Sequence, residues 1–176
     1  MMVTVTGGSG SGKSEFAENM LAELVNNTKG NNKLYYIATM KPYGEDAARR
    51  INRHQKLREG KGFITIECYN NIGSCMLQNK SNVLLECMSN LAANEMFAET
   101  IKDKYSVYYK ICSGIDRLKE ITDNLVIVTN DVFADGVIYD ESTMEYIELL
   151  GMVNRYLASI SDRVIEIIYS CPLVIA

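Results

Sequence analysis

Short apolar runs alternate with longer stretches in which apolar residues recur every three or four positions. Runs of the first kind suit buried strands, and the longer stretches suit helices that cover them. The alternation therefore predicts an α/β domain, a mostly parallel central sheet of about six or seven strands with helices on both faces. Strands are expected at residues 3–5, 34–38, 63–66, 83–85, 125–128 and 164–169. The runs Val83-Leu84-Leu85 and Leu125-Val126-Ile127-Val128 are apolar throughout, as central parallel strands buried on both faces must be. Phe16, Ala17, Met20, Leu21, Leu24 and Val25 share one face at the helical period, and the polar stretch 26–32 reads as the loop that ends that helix. Residues 45–58 run from acidic to basic, the order favoured by a helix dipole. Residues 88–121 are long enough for two helices. Ser142-Thr143-Met144-Glu145 fits a capping box, with Ile147, Leu150, Val153, Leu157 and Ile160 as the buried stripe behind it. Pro42 and Pro172 fall outside every expected helix. No repeat, linker or low-complexity block divides the chain, so residues 1–176 are expected to form one domain.

Composition narrows the class. The chain has 176 residues, 47% apolar and 23% charged, the profile of a globular domain large enough to bury a full core. A net charge of −4 argues against a general nucleic-acid binder. No apolar run is long enough to span a bilayer, and the first residues carry no basic leader, so neither a membrane anchor nor a signal peptide is expected. The five cysteines, Cys68, Cys75, Cys87, Cys112 and Cys171, are odd in number and contain no C-x-x-C pair. Free, buried thiols in a reducing compartment are expected, which points to the cytoplasm.

Chemistry enters at Gly7-Gly8-Ser9-Gly10-Ser11-Gly12-Lys13-Ser14, which fits G-x-x-x-x-G-K-[ST] between a strand and a helix. At ordinary residue frequencies a chance match in a chain of this length has a probability of about 0.6%. Glycines let the backbone N–H groups turn inward around a phosphate at the helix N-terminus. Lys13 is expected at the β- and γ-phosphates, and the Ser14 hydroxyl on Mg²⁺. The acidic partner of such a metal usually ends a neighbouring strand, which leaves Glu86 and Asp131 as candidates. His54 is the only histidine, and it sits on a helix whose residues 45–58 hold five Lys/Arg against two acids. Read from the residues alone, this is either a solvated basic helix or a triphosphate clamp around a nucleophile. In the second case Arg50, Arg53 and Arg58 would keep the imidazole neutral and offset charge on a phosphoryl group in transfer.

Further segments add to these: Val5-Thr6-Gly7-Gly8, Tyr36-Ile37-Ala38-Thr39, Ala48-Arg49-Arg50-Ile51-Asn52-Arg53-His54, Leu84-Leu85-Glu86-Cys87, Asn94-Glu95-Met96-Phe97, Val128-Thr129-Asn130-Asp131 and Gly151-Met152-Val153-Asn154. In these segments, nearly end to end, the chain resembles the bifunctional adenosylcobinamide kinase/adenosylcobinamide-phosphate guanylyltransferases of cobalamin biosynthesis. The resemblance implies a RecA-like P-loop fold, a homotrimer, ATP and GTP as substrates with Mg²⁺, and a corrinoid acceptor. It implies two reactions: γ-phosphate transfer to adenosylcobinamide, then GMP transfer through a GMP–histidine intermediate at His54. It also implies guanine-nucleotide contacts at Ala38, Thr39, Met40, Gln55, Lys56, Leu57, Arg58, Glu67 and Glu86.

The chain departs from the family pattern in places. Ser9-Gly10 stands where the family has Ala-Arg, 132–137 lacks the family's proline, and Ile147 and Met152 replace two arginines. Three alternatives therefore stay open at the level of sequence: a guanylyltransferase without the kinase step, a P-loop small-molecule kinase without the histidine step, and a nucleotide-gated binding module.

Overall fold

The computed structural model describes residues 1–26, 33–78, 80–98, 103–132, 136–137 and 139–176. The elements are β1 (Met2–Thr6), α1 (Lys13–Asn26), β2 (Leu34–Ala38), α2 (Gly44–Arg58), β3 (Phe63–Glu67), a short 3-10 turn (Ile72–Ser74), β4 (Ser81–Glu86), α3 (Met88–Met96), α4 (Lys104–Ile121), β5 (Thr122–Val128), α5 (Glu141–Ile160), β6 (Arg163–Ile168) and β7 (Cys171–Val174). The strands form one sheet in the order β3-β2-β4-β5-β1-β6-β7. All neighbours pair in parallel except β6 and β7.

The period of two along each strand sorts the core into two layers. Met2, Tyr35, Ile37, Val83, Leu85, Leu125 and Ile127 pack with Leu91, Ile111, Ile115, Leu150 and Val153, burying the faces of α3, α4 and α5. Their alternates Val3, Val5, Leu34, Tyr36, Leu84, Val126 and Val128 pack on Ala17, Leu21 and Val25 of α1. Helix α2 differs: Arg58 is its one buried residue, so it contributes no apolar face to either layer.

The six strands expected from the pattern are all present. The seventh, β7, carried no recognisable signal. It returns from β6 through Tyr169 and Ser170, which both have positive φ, 48° and 64°. That two-residue turn normally calls for Asn-Gly, which Tyr-Ser does not advertise. Pro172 is accommodated because β7 is the outermost strand. Cys171 on that strand is exposed, contrary to the expectation of buried thiols, while Cys75, Cys87 and Cys112 are buried; all five are free. The stretch 27–32 expected as a loop lies outside the described residues, and Asn26 still belongs to α1. The capping box is also corrected. Asp140, not Ser142, caps α5, its carboxylate accepting from the Thr143 backbone N–H at 3.0 Å and from the Ser142 and Thr143 hydroxyls.

The hydrogen bonds from Ser142 and Thr143 hold the Asp140 carboxyl down to about 2. A depressed folded-state value stabilises the protein above the unfolded carboxyl range, and the effect is lost as pH falls through the folded value. Asp140→Ala is therefore expected to lower the thermal unfolding midpoint at pH 7. The gap to the parent should narrow between pH of about 4 and about 2, and Ser142→Ala should lower the midpoint much less.

Candidate functional site

Parallel register places the C-terminal ends of the strands in one row. Ala38 pairs with Glu67 on one side and Glu86 on the other, and Glu86 pairs with Val128, whose neighbouring strand β1 runs into the Gly-rich loop. Open α/β sheets bind ligands at this edge.

The loop 7–12 is held from behind by the β6–β7 turn. The Ser170 N–H donates to the Ser11 carbonyl at 2.8 Å, and the Asp131 N–H donates to the Gly7 carbonyl at 3.2 Å. Gly7 has φ of 144°, and a Cβ there would sit 2.5 Å from the Ile167 carbonyl oxygen; a Cβ on Gly12 would sit 2.7 Å from Ser170 Oγ. Gly12 has φ of 94°, so at both positions a positive φ and a close neighbour, backbone at Gly7 and the Ser170 side chain at Gly12, favour glycine. Lys13 follows at the start of α1, buried, its ammonium donating to the Gly8 carbonyl at 2.7 Å. Burial pushes its pKa down from the usual lysine range, opposed by Cys87 and Glu86.

Glu86, 8% exposed at the end of β4, anchors the centre. Its carboxylate accepts from the Ser14 hydroxyl and, at 3.1 Å, from the Tyr36 phenol. Burial first, then the Glu86 charge, pushes the Tyr36 phenol far above the ordinary tyrosine range, so it stays a donor. From α2, His54 Nδ1 faces Glu86 Oε1 at 3.5 Å. One turn on, the Arg58 guanidinium lies 3.4 Å from the Tyr36 ring centroid, a cation–π contact. Past the helix end, Lys61 donates to Glu18 at 2.9 Å and to Asn19 at 2.8 Å, tying the following turn to α1.

These groups enclose a cavity of about 320 Å³. Of the residues expected at the site, Ser9, Gly10, Ser11, Gly12, Lys13, Ser14, Ala38, Met40, His54, Gln55, Leu57, Arg58, Glu67 and Glu86 line it, with Arg50 and Arg53. Five others do not. Gly7 and Gly8 form the back of the loop, Lys56 is exposed beside a separate shallow depression, and Asp131 is exposed and meets the loop through its backbone. Thr39 is fully buried, its hydroxyl donating to the Cys87 carbonyl and accepting from the Cys87 N–H, both at 2.8 Å, which fastens β2's end to β4's. Sequence reasoning missed Tyr36, Thr65, Tyr69, Asn90 and Asn130, which also line the cavity. Tyr36 read as one more apolar strand residue; Asn90 lay unmarked on an expected helix and Asn130 beside a candidate carboxylate.

The arrangement suits a nucleotide and Mg²⁺. Ser11 Oγ and Arg58 Nη1 are buried without partners, a donor-rich lining that anionic oxygens would satisfy. The Ser14 hydroxyl beside the Glu86 carboxylate supplies the hard oxygen donors that Mg²⁺ prefers. No group of three or more His, Cys, Asp or Glu among the described residues could hold a metal by itself.

The sequence profile of cobinamide kinase / cobinamide phosphate guanyltransferase, CobU, matches residues 3–175. The chain belongs to the CobU family. It is thus an enzyme of the kinase and nucleotidyltransferase type. Two curated CobU relatives, each named as a bifunctional adenosylcobalamin biosynthesis protein, match over 93% of both chains. The protein of Salmonella typhimurium (strain LT2) is 26% identical over 183 aligned positions, and that of Escherichia coli (strain K12) is 26% identical over 177. Among solved structures, an ATPase domain matches with a TM-score of 0.50 at 8% identity, over 94% of this chain and 68% of that one. That likeness concerns the fold alone, a RecA-like P-loop sheet.

Two glycines of that loop should behave differently. Gly7→Ala drives a Cβ into a backbone carbonyl and is expected to cost about 1–3 kcal/mol in urea denaturation, with loss of nucleotide binding. At Gly8 a Cβ would meet nothing within 4 Å, so Gly8→Ala should stay within about 0.5 kcal/mol of the parent.

Proposed function

We propose that this chain phosphorylates adenosylcobinamide and then transfers GMP from GTP, through a GMP–His54 intermediate, to adenosylcobinamide phosphate, giving adenosylcobinamide-GDP. The observation that carries the reading is a single cavity shared by the phosphate loop and the chain's only histidine, with Arg50, Arg53 and Arg58 around it.

In the kinase step the acceptor hydroxyl oxygen bonds to the γ-phosphorus, the bond to the β-phosphate oxygen breaks, and the hydroxyl proton is lost. Lys13 and the loop's N–H groups bind the phosphates and hold them in line. Ser14 would hold Mg²⁺ with Glu86 behind its hydroxyl, and the ion when bound supplies charge neutralisation on the phosphate oxygens. In the guanylyl step a ring nitrogen of His54 bonds to the α-phosphorus of GTP, and pyrophosphate leaves with the electron pair of the broken P–O bond. An oxygen of adenosylcobinamide phosphate then attacks that phosphorus, the N–P bond breaks, and His54 is regenerated. The α2 arginines offset charge on the phosphorus centre in both halves.

Arg50 and Arg53 line the cavity from α2, while no arginine stands between Gly8 and Ser11. The family resemblance puts guanosine contacts at Ala38, Met40, Gln55, Leu57, Arg58 and Glu67, all of which line the cavity. A homotrimer, by family resemblance, and a cytoplasmic location, from the five free cysteines, belong to the same reading. Among the described residues no helix is long and apolar enough to cross a membrane.

The test is the intact mass of the purified protein after incubation with Mg²⁺ and GTP. Wild type is expected to gain a guanylyl adduct that is labile to acid and stable to base, and His54→Ala none. Unmodified wild type that still binds GTP would overturn the histidine step. A P-loop kinase without a covalent intermediate would then be the better reading.

A further inference from the structure

We infer that Glu86 is the positioning residue of His54, accepting the Nδ1–H of the ring so that Nε2 is the nitrogen presented to the α-phosphorus. The inference deepens the histidine step proposed above and rests on it.

Four observations carry it. His54 Nδ1 is buried and has no hydrogen-bond partner, yet it faces Glu86 Oε1 at 3.5 Å. A buried, unpaired ring N–H is costly, and a movement of a few tenths of an ångström brings this pair into hydrogen-bonding range. Glu86 is itself held in place. Its carboxylate accepts from Ser14 and Tyr36, and its backbone carbonyl accepts from the Thr39 N–H at 3.0 Å. A carboxylate oxygen can take two donors, so Oε1 can serve Ser14 and the imidazole together.

The surroundings offer few competitors. Arg50, Arg53, Arg58 and Lys13 line the same cavity and can only donate. Of the other carboxylates on its wall, Glu67 accepts from the Tyr69 phenol at 2.7 Å, and Glu15 is exposed.

The consequence for chemistry is specific. With the proton on Nδ1, the lone pair is on Nε2. As the Nε2–P bond forms and pyrophosphate departs with its electron pair, the ring keeps its Nδ1 proton and becomes cationic. The Glu86 carboxylate offsets that charge as it develops. When the acceptor oxygen attacks phosphorus, the N–P bond breaks, its electron pair returns to Nε2, and the neutral Nδ1–H ring is restored.

Because His54 is the only histidine, selective ¹⁵N-histidine labelling of the full chain gives one ring's signals without assignment. Spectra are recorded without nucleotide, at a pH well above the ordinary imidazole range. Wild type is expected to show a pyrrole-type Nδ1 and a pyridine-type Nε2, the reverse of the tautomer that free histidine prefers. Glu86→Ala should revert to the Nε2–H tautomer. Glu86→Gln can keep its carbonyl toward Ser14 and His54 with its amide at Tyr36. It should therefore retain Nδ1–H, with the Nδ1 proton shifted upfield as a charged acceptor gives way to a neutral one. An Nε2–H ring in wild type overturns the inference, as does an Nδ1–H ring that persists in Glu86→Ala. Should Glu86→Ala fail to fold, an Nδ1 proton unmoved in Glu86→Gln overturns it equally. The spectra do not depend on turnover, so the two proposals fail separately. A guanylyl adduct formed on an Nε2–H ring refutes only the positioning role, and an Nδ1–H ring that never acquires GMP refutes only the nucleotidyl step.

Discussion

A carboxylate buried at the end of an apolar strand is stable only if donors surround it, because an unpaired buried charge costs several kcal/mol. Glu86 is that carboxylate: two elements supply its side-chain donors and a third faces it. Ser14 brings the first turn of α1, Tyr36 brings the middle of β2, and His54 faces it from α2. Satisfying one charge therefore brings the phosphate loop, the adjacent strand and the polar helix to a common point. These three residues lie far apart in the chain, and the carboxylate is the group they share.

The layered core below does the complementary work. Strands β4 and β5 are buried along almost their full length, and β1 sits between β5 and β6. Close packing fixes their register, so Glu86 and Val128 are level with Ala38 and Glu67 to within the pleat. The positions of the functional groups are thus set by side chains that never touch a ligand. The loop 7–12 is rigid for a similar reason: β6 and the β6–β7 turn occupy the space that any Cβ on Gly7 or Gly12 would need.

How legible this was in the sequence follows from which signals are local. The six parallel strands and five helices were readable because burial on both faces or on one stripe leaves a periodic record. So was the phosphate loop, whose spacing is a property of adjacent residues. β7 was not, because its turn uses Tyr169 and Ser170 at positive φ where glycine or asparagine would have marked it. The helix cap was assigned two residues late because Ser142 fits the motif, while Asp140 makes the backbone contact. The choice between Glu86 and Asp131 could not be made from sequence, since both follow apolar strands. Only the packing shows that one is buried against Ser14 and the other is exposed. The relation of His54 to Glu86 joins a helix to a strand far along the chain, and no periodicity encodes a contact of that kind.

Helix α2 carries Arg50, Arg53 and Arg58, three of the four Lys and Arg side chains that line the cavity. A helix that is polar nearly all round gains little from burial and must be held by specific contacts. Arg58 stacked on Tyr36 is worth about 0.5–2 kcal/mol as a cation–π pair, and Lys61 ties the turn beyond it to the buried Glu18. Burial pushes the Glu18 carboxyl up while Lys61 pulls it down, so this tie acts at a cost in desolvation. Its effect is to set Arg50, Arg53 and His54 over the phosphate loop on one rigid element. Cations carried by the loop would stay with the phosphates whatever α2 did. Cations carried by α2 arrive only together with the histidine, so Arg50, Arg53 and His54 reach the cavity as one structural unit.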